Sequence, residues 1–169
     1  MPIPKTRLDY DINKSKSRIL QKIHAILLFQ FGTDIFSQLL KMENTTIEFS
    51  KNTGNMRYVY LNKERIFSYK PTVGLFSLSV AGAKILHSYT NPPHHRVMVL
   101  SEVEDFIREG KSVFTQHITQ IDEELRIGSE VLVVNEHDEL IAVGKLSIPP
   151  SYAGLSVGQA VAIRKGITK

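Results

Sequence analysis

The spacing of apolar residues changes near residue 45, and this change restricts the fold more than any other feature of the chain. Before it, Ile19, Ile23 and Ile26 recur at intervals of three or four residues, which predicts an amphipathic helix over residues 14–32. A second helix is predicted over residues 34–42.

After residue 45, short segments rich in β-branched and aromatic residues alternate with turn residues, which is typical of antiparallel strands. The strands are predicted at residues 46–49, 56–61, 66–69 and 75–79, and a helix at 81–88. Helices combined with an antiparallel sheet place this half in the α+β class.

The segment from Tyr89 to His95 is the best candidate for a linker, because the consecutive prolines Pro92 and Pro93 forbid a regular helix. We therefore divide the chain into an N-terminal α+β domain over residues 1–93 and a second domain over residues 94–169. The second domain is predicted to contain one short helix, at residues 101–109, among several short strands, which is typical of a small β-barrel. These strands are predicted at residues 96–100, 112–121, 130–135, 140–146 and 159–164.

The charge of the chain is distributed unevenly between the two halves. Residues 1–95 contain 13 Lys and Arg against 6 Asp and Glu, a balance of +7, whereas residues 96–169 contain 8 against 11, a balance of −3. The total of +4 therefore hides a basic half, which is suited to a polyanion partner. A surface of solvated lysines is the alternative interpretation.

Composition excludes several classes of protein. Without cysteine the chain has no disulfide framework, thiol nucleophile or cysteine-ligated zinc site. The first residues lack the apolar core of a signal peptide, and the longest apolar run, residues 25–29, is too short to span a bilayer. We therefore expect a cytoplasmic protein.

The sequence predicts neither a metal site nor a catalytic centre. His87, His94 and His95 lie near one another in the chain, but no carboxylate or further histidine follows at a ligand spacing. The acidic runs at residues 122–124 and 136–139 are typical of solvated loops and turns. No Ser-His-Asp arrangement follows a recognised order. We therefore expect no catalytic residue, no metal and no cofactor.

The second half carries an ordered set of motifs. They run from Arg96-Val97-Met98-Val99 through Ile107-Arg108-Glu109-Gly110 and residues 125–135 and 140–145 to the final stretch at residues 160–167. In this order they resemble the PUA domain of pseudouridine synthases and archaeosine transglycosylases, over about 75 residues. The resemblance implies a mixed β-barrel of the PUA type that binds RNA.

The first half has a resemblance of its own. Residues 53–60, 71–79 and 81–83, together with Phe29-Gln30-Phe31-Gly32, are similar to the segment that precedes the PUA domain in archaeal tRNA-guanine transglycosylases. Enzymes of that family carry their chemistry in a separate barrel domain, and 169 residues leave no room for it beside the two halves. The resemblance therefore implies the RNA-binding part of such an enzyme without its catalytic barrel.

The PUA resemblance also implies which residues contact RNA. In that family the loop from the helix to the second strand forms the RNA surface together with the last strand. The implied residues here are Arg108, Gly110, Lys111, Ser112, Arg164 and Lys165, with Lys145 and Arg96 as additions at the edge of the barrel. A glycine at position 110 permits a positive φ, so that a phosphate can approach exposed backbone amides of the turn.

A second basic surface is predicted in the first half, along the first helix and beside a hairpin. Its members are Lys14, Lys16, Arg18 and Lys22 on the helix and Arg57, Lys63 and Arg65 around the hairpin. Such cations suit phosphate contacts that position an RNA stem without reading its sequence. They suit equally the docking of a protein partner, and the sequence leaves both interpretations open.

The main functional hypothesis is a non-catalytic RNA-binding protein that binds tRNA and supports tRNA modification in the archaeosine pathway. The alternative is a protein-interaction subunit of a separately encoded transglycosylase-type enzyme, which touches RNA only within the complex. A third hypothesis, an enzyme with a small active site of its own, predicts turnover by the isolated protein. The expected partners are RNA and possible catalytic subunits, with no membrane.

Overall fold

The computed structural model describes residues 7–40, 44–156 and 158–168. The first half contains helices α1 (Arg7–Phe31) and α2 (Ile35–Leu40), strands β1 (Thr45–Phe49), β2 (Met56–Leu61), β3 (Glu64–Lys70) and β4 (Leu75–Leu78), and helix α3 (Val80–Tyr89). The second half contains strand β5 (Arg96–Val99), helix α4 (Glu104–Arg108) and strands β6 (Val113–Phe114), β7 (Ile118–Ile121), β8 (Glu130–Val134), β9 (Leu140–Leu146) and β10 (Gln159–Gly166). Within these ranges no helix is both long and apolar enough to cross a membrane.

The first half is an antiparallel sheet in the order β1-β2-β3-β4, packed against α1. The helix buries Ile23, Leu27 and Phe31, which lie four residues apart on one face and pack against Phe67 and other apolar residues of the sheet. The side-chain amide of Gln30 fixes the position of α1 along the sheet. Its nitrogen donates to the carbonyl of Phe76 on β4 (2.6 Å), and its oxygen accepts from the N–H of the same residue (2.8 Å).

Helix α1 begins at Arg7, seven residues before the predicted start, so the expectation of a helix over residues 14–32 is wrong at this end. The other end agrees with the prediction, because α1 ends at Phe31 and Gly32 follows with a positive φ of 62°.

The second half is a curved six-stranded sheet in the order β6-β10-β9-β8-β5-β7, with β5 and β8 parallel and the other pairs antiparallel. The single strand predicted over residues 112–121 is wrong, because a 3-10 turn at Thr115–His117 divides it into β6 and β7. These two strands lie at opposite edges of the sheet although only three residues separate them. The sheet must therefore curve back on itself into a nearly closed barrel, and the expected α+β fold with a small C-terminal mixed β-barrel is confirmed.

The two halves pack directly against each other. Leu132 on β8 and Val143 on β9 are buried in the same apolar cluster as the residues that α1 packs against. The predicted domain boundary after residue 93 falls between the end of α3 and the start of β5. The face of the barrel formed by β8, β9 and β10 therefore covers one side of the N-terminal domain.

Candidate nucleic-acid interface

The turn between α4 and β6 is the centre of the predicted RNA surface. Gly110 adopts a φ of 94°, and the N–H groups of Gly110 and Lys111 donate to the carbonyls of Ile107 (2.9 Å) and Phe106 (3.0 Å). This is the hydrogen bonding that ends a helix at a left-handed residue. The expectation that these amides are exposed to a phosphate is wrong, since both are used to close the helix.

Lys111 extends from this turn into solvent and forms no ion pair with any residue that the structure describes. Ser112 beside it is half-buried. Two aromatic side chains near the turn are also exposed, Phe106 at 60% and Phe114 at 49%. The sequence analysis missed them, although exposed aromatic rings suit stacking on unpaired bases.

Arg108 serves the fold rather than an RNA surface. Its Nε donates to the carboxylate of Glu104 one turn earlier (2.8 Å) and its Nη1 donates to the carbonyl of Ile167 (2.9 Å). The side chain is only 11% exposed. The expectation of an RNA-binding Arg108 is therefore wrong, because its guanidinium already ties α4 to the chain that follows β10.

Arg96 is buried at the junction of the two halves. Its Nε donates to the carboxylate of Asp138 (2.6 Å), and its remaining nitrogens donate to the carbonyls of His87, Thr90 and His94 and to the Thr90 hydroxyl. With only 4% of the side chain exposed, this guanidinium cannot meet an RNA phosphate. The expectation that Arg96 belongs to the RNA surface is wrong.

His95 lies beside Arg96 and joins the same two halves. Its Nε2–H donates to the carbonyl of Phe31 at the end of α1 (2.9 Å), and its backbone N–H donates to Asp122 (2.8 Å). Burial lowers the pKa of the imidazole, although the Phe31 carbonyl and the Asp122 carboxylate oppose this effect. The ring is therefore neutral near pH 7.

Arg164 on β10 is paired with a buried acid. Its two terminal nitrogens each lie 2.6 Å from an oxygen of Glu130 on β8, and Nη1 also donates to the carbonyl of Leu78 (3.0 Å). The N–H of Leu78 donates in turn to Glu130 (2.9 Å). The Arg164–Glu130 pair is thus hydrogen-bonded to the end of β4 in the N-terminal domain. Its charge is therefore paired, although 37% of the side chain is exposed, and RNA contact by Arg164 stays a prediction.

Lys165 and Lys145 keep the exposure that an RNA surface requires. Lys165 follows Arg164 on β10, and Lys145 lies on β9 opposite Glu130. Neither forms an ion pair within the described part of the chain. Gly166 comes directly after Lys165 and packs so closely on α4 that a Cβ there would overlap the carbonyl oxygen of Arg108. The α4–β6 turn and the end of β10 are therefore adjacent.

The second basic surface is only partly described. Arg18 and Lys22 are exposed on α1, and Lys22 Nζ lies 5.0 Å from the centre of the Tyr69 ring. Lys14 and Lys16 belong to the same helix, but their side chains lie outside the described part of the structure. Arg57 is exposed on β2.

A cleft of about 650 Å³ lies between the N-terminal sheet and β10. It brings together cations that the sequence analysis had assigned to separate surfaces, and Lys70, which it had assigned to neither. They are Arg57, Arg65, Lys70, Arg164 and Lys165. Among the described residues that line it, none has an acidic side chain. Tyr58 stands on its wall, with the guanidinium carbons of Arg57 and Arg65 each 5.0 Å from the ring centre.

One group of possible metal ligands occurs among the described residues, at the start of the barrel. Single ligand atoms of His94, Asp122 and Glu124 lie within 4.8 Å of one another. The sequence spacing concealed this group because the chain returns to His94 only after three strands. Asp122 already accepts backbone N–H groups of His95 (2.8 Å) and Glu124 (3.0 Å), which explains its burial as part of a turn.

Comparison with protein families gives a match for each half of the chain. The patch-forming domain C2 of tRNA-guanine transglycosylase matches residues 21–93, and the PUA domain matches residues 95–151. The two matches follow each other without overlap and meet within the linker predicted from the prolines.

Curated relatives contain both halves in one chain. The tRNA-guanine(15) transglycosylase of Methanobrevibacter smithii is 40% identical over 151 residues, which are 89% of this chain and 23% of that protein. The enzyme of the same name from Methanothermobacter thermautotrophicus is 40% identical over 148 residues, 87% of this chain and 22% of that protein. The chain thus spans about a quarter of the length of these relatives.

Solved structures share the fold at low sequence identity. A hypothetical protein from Pyrococcus horikoshii OT3 has a TM-score of 0.65 and 22% identity, with 87% of this chain and 89% of that chain covered. A conserved PUA domain protein from Thermoplasma acidophilum has a TM-score of 0.59 and 20% identity, with 92% and 91% covered. The two-part architecture therefore occurs in other proteins of similar length.

Proposed function

The chain is a PUA-domain protein that resembles the C-terminal part of archaeal tRNA-guanine transglycosylase, and from this relationship we propose that it is a non-catalytic protein that binds tRNA. The observation that carries the proposal is the order of the two domains, which matches that of relatives whose name specifies tRNA as their substrate. The protein supports tRNA modification in the archaeosine pathway and acts in the cytoplasm.

The exposed lysines supply a surface for this role. Lys111 at the α4–β6 turn and Lys165 at the end of β10 are exposed on adjacent elements, and neither pairs with an acid among the described residues. Phosphate contacts of such side chains give affinity that falls steeply with salt, because bound cations are released from the RNA. The turn and the strand hold these lysines in place through the buried contacts of Arg108 and Gly166.

The protein presents tRNA to a catalytic partner instead of reacting with it. The described clefts contain no pair of carboxylates in a common cavity, and Glu104 and Glu130 are engaged by arginines. A tRNA-guanine transglycosylase whose catalytic part is separately encoded is the partner that this function requires.

A filter-binding titration with a tRNA transcript tests the proposal. Between about 50 mM and about 200 mM salt we expect binding to weaken along a straight line of log affinity against log salt. Lys111→Ala and Lys165→Ala should each reduce the slope by about 1. Lys84→Ala, which removes an exposed lysine of α3 outside this surface, is the matched control and should leave the slope unchanged.

Two results would contradict the proposal. Wild-type protein that does not retain tRNA even at low salt would show that the chain alone is not an RNA-binding protein. If tRNA were retained only after addition of a transglycosylase-type catalytic protein, the function would be that of an interaction subunit.

A further inference from the structure

The cleft between the N-terminal sheet and β10 has the size of a ligand site. Its volume of about 650 Å³ lies within the range of about 300–1,000 Å³ that is usual for pockets that bind small molecules or parts of larger ones. Its walls come from both domains, with Arg57 and Tyr58 on β2, Lys70 at the end of β3 and Lys165 on β10. The site therefore exists only when the two domains are packed together.

The charge of this cleft is positive and largely uncompensated. Of its five cations only Arg164 is paired, with Glu130, whereas Arg57, Arg65, Lys70 and Lys165 form no ion pair with a described residue. Four like charges around one cavity repel one another, and an anion that enters the cavity relieves that repulsion. The chemistry of the cleft thus favours a ligand that carries phosphate.

An aromatic ring beside the cations adds a second kind of recognition. Tyr58 is half-buried, and Arg57 Nη2 donates to its hydroxyl (3.1 Å). The guanidinium groups of Arg57 and Arg65 both lie against its ring, and Tyr60 makes an edge contact at 6.1 Å. Aromatic rings with adjacent guanidinium groups provide a surface on which a nucleobase stacks.

We infer that this cleft binds a single-stranded segment of RNA, with a base stacked at Tyr58 and its flanking phosphates on Arg57, Arg65, Lys70 and Lys165. The inference rests on the proposed function, since it assigns a further part of the bound RNA to a further surface. A duplex keeps its bases stacked on one another, so only an unpaired nucleotide can present its face to the ring. Lys165 connects the cleft to the α4–β6 turn, which continues the RNA surface around the barrel.

Fluorescence anisotropy with two labelled RNAs tests this site. One RNA is a blunt hairpin, and the other is the same hairpin with a single-stranded extension. We expect wild-type protein to bind the extended RNA more tightly, and Tyr58→Ala to weaken that binding about 5- to 100-fold, as expected for the loss of one stacked base. Binding of the blunt hairpin should be unchanged by this substitution.

Three further variants separate stacking from folding and charge. Tyr58→Phe keeps the ring and should retain the preference for the extended RNA. Arg65→Gln should reduce the salt slope for the extended RNA by about 1. Tyr89→Ala, which removes a partly exposed tyrosine at the end of α3 outside the cleft, should change neither RNA affinity. Thermal unfolding of each variant identifies any that fails to fold. If Tyr58→Ala does not fold, the site is tested with Tyr58→Phe and Arg65→Gln instead.

The possible failures are distinguishable. If wild-type protein binds neither RNA, the proposed function is wrong. If it binds both RNAs equally, and folded Tyr58→Ala and Arg65→Gln bind as the wild type does, the protein binds RNA but the cleft does not. A free nucleoside monophosphate that displaces the extended RNA as effectively as an unlabelled single strand would assign the cleft to a free nucleotide and overturn the inference.

Discussion

At the scale of single residues, arginine and lysine have different tasks in this molecule. Arg96, Arg108 and Arg164 each donate more than one hydrogen bond to fixed oxygen acceptors, and such sets of acceptors suit the planar guanidinium. Lys111 and Lys165 remain in solvent, where a flexible ammonium can reach a phosphate. The cations proposed to bind RNA at the PUA surface are therefore the lysines, while the arginines hold the elements on which those lysines stand.

His95 makes the stability of the protein depend on pH. Because burial lowers the pKa of the folded imidazole below its usual value of about 6.5, the unfolded chain takes up a proton first as the pH falls. The free energy of unfolding should decrease as the pH is lowered from about 7.5 to about 5.5, and the decrease stops once the pH is below the pKa of the folded form. Urea unfolding at several pH values measures this loss.

His95→Asn provides the comparison for this prediction. Asparagine tolerates the positive φ of 59° at this position but does not titrate in this range. The variant should be less stable at pH 7.5, because it loses the hydrogen bond to Phe31, and should lose less stability on acidification than the wild type does. Equal losses in the two proteins would show that His95 is not the group responsible.

Residue patterns predicted conformation better than they predicted contacts. Gly110 was correctly expected at a left-handed turn, because a glycine after a helical segment has a local meaning. The partners of Arg96 and Arg164 are Asp138 and Glu130, which lie 42 and 34 residues away in the chain. No local pattern reveals such pairs, so both arginines were expected as RNA contacts and neither ion pair was predicted.

At the scale of secondary-structure elements, the short helix α4 is held against the end of β10 at two points. Arg108 bonds to the carbonyl of Ile167, and Gly166 lets the two backbones approach more closely than any side chain would allow. The α4–β6 turn owes its position to this contact. A five-residue helix has little stability of its own, and tertiary packing keeps it in place.

Gly166→Ala should therefore disturb α4 as well as β10. A Cβ at this position overlaps the Arg108 carbonyl oxygen, so α4 and β10 must separate, at a cost of about 1–3 kcal/mol in the free energy of unfolding. The Cβ added in Gly110→Ala has no atom within 4 Å. Only the φ of 94° is unfavourable for alanine, and it should cost about 1 kcal/mol in the free energy of unfolding. Urea denaturation compares the two variants, and a smaller loss for Gly166→Ala than for Gly110→Ala would contradict the assigned contact.

The strands show where element prediction succeeds and where it fails. Short runs rich in β-branched and aromatic residues, bounded by turn residues, located β2, β8 and β9 well, because such runs are typical of strands. Residues 112–121 have the same local character, yet they form two strands on opposite edges of the barrel. The division depends on which strands they pair with, and pairing is a property of the whole sheet.

At the scale of the whole molecule, the interface between the two halves is built from polar groups as well as apolar ones. Glu130 and Arg164 of the barrel together bind both backbone groups of Leu78 in the N-terminal domain. Leu132 and Val143 add apolar contact beside them. The cleft that we assign to single-stranded RNA lies next to this interface, and its residues come from segments that no motif connects. Because no motif connects these residues, the sequence analysis did not predict the cleft.

The assignment of Arg164 to the interface leads to a test that separates structure from RNA binding. In the double variant Glu130→Gln with Arg164→Gln, a neutralised pair is replaced by two neutral amides, so the net charge of the surface stays the same. We expect lower stability, because the charge-assisted hydrogen bonds to Leu78 are lost, with an unchanged salt slope of tRNA binding. A slope reduced by about 1 would instead identify Arg164 as a phosphate contact.

The most direct test of the central claim is to locate bound tRNA on the protein. The full chain is crosslinked to a tRNA transcript by ultraviolet light at about physiological salt, and mass spectrometry identifies the crosslinked peptides. We expect crosslinks in the peptides that carry Lys111 and Lys165, on the adjoining α4–β6 turn and β10. Crosslinks confined to other surfaces, such as the exposed side of α3 around Lys84, or no crosslinks at all, would contradict tRNA binding by this surface.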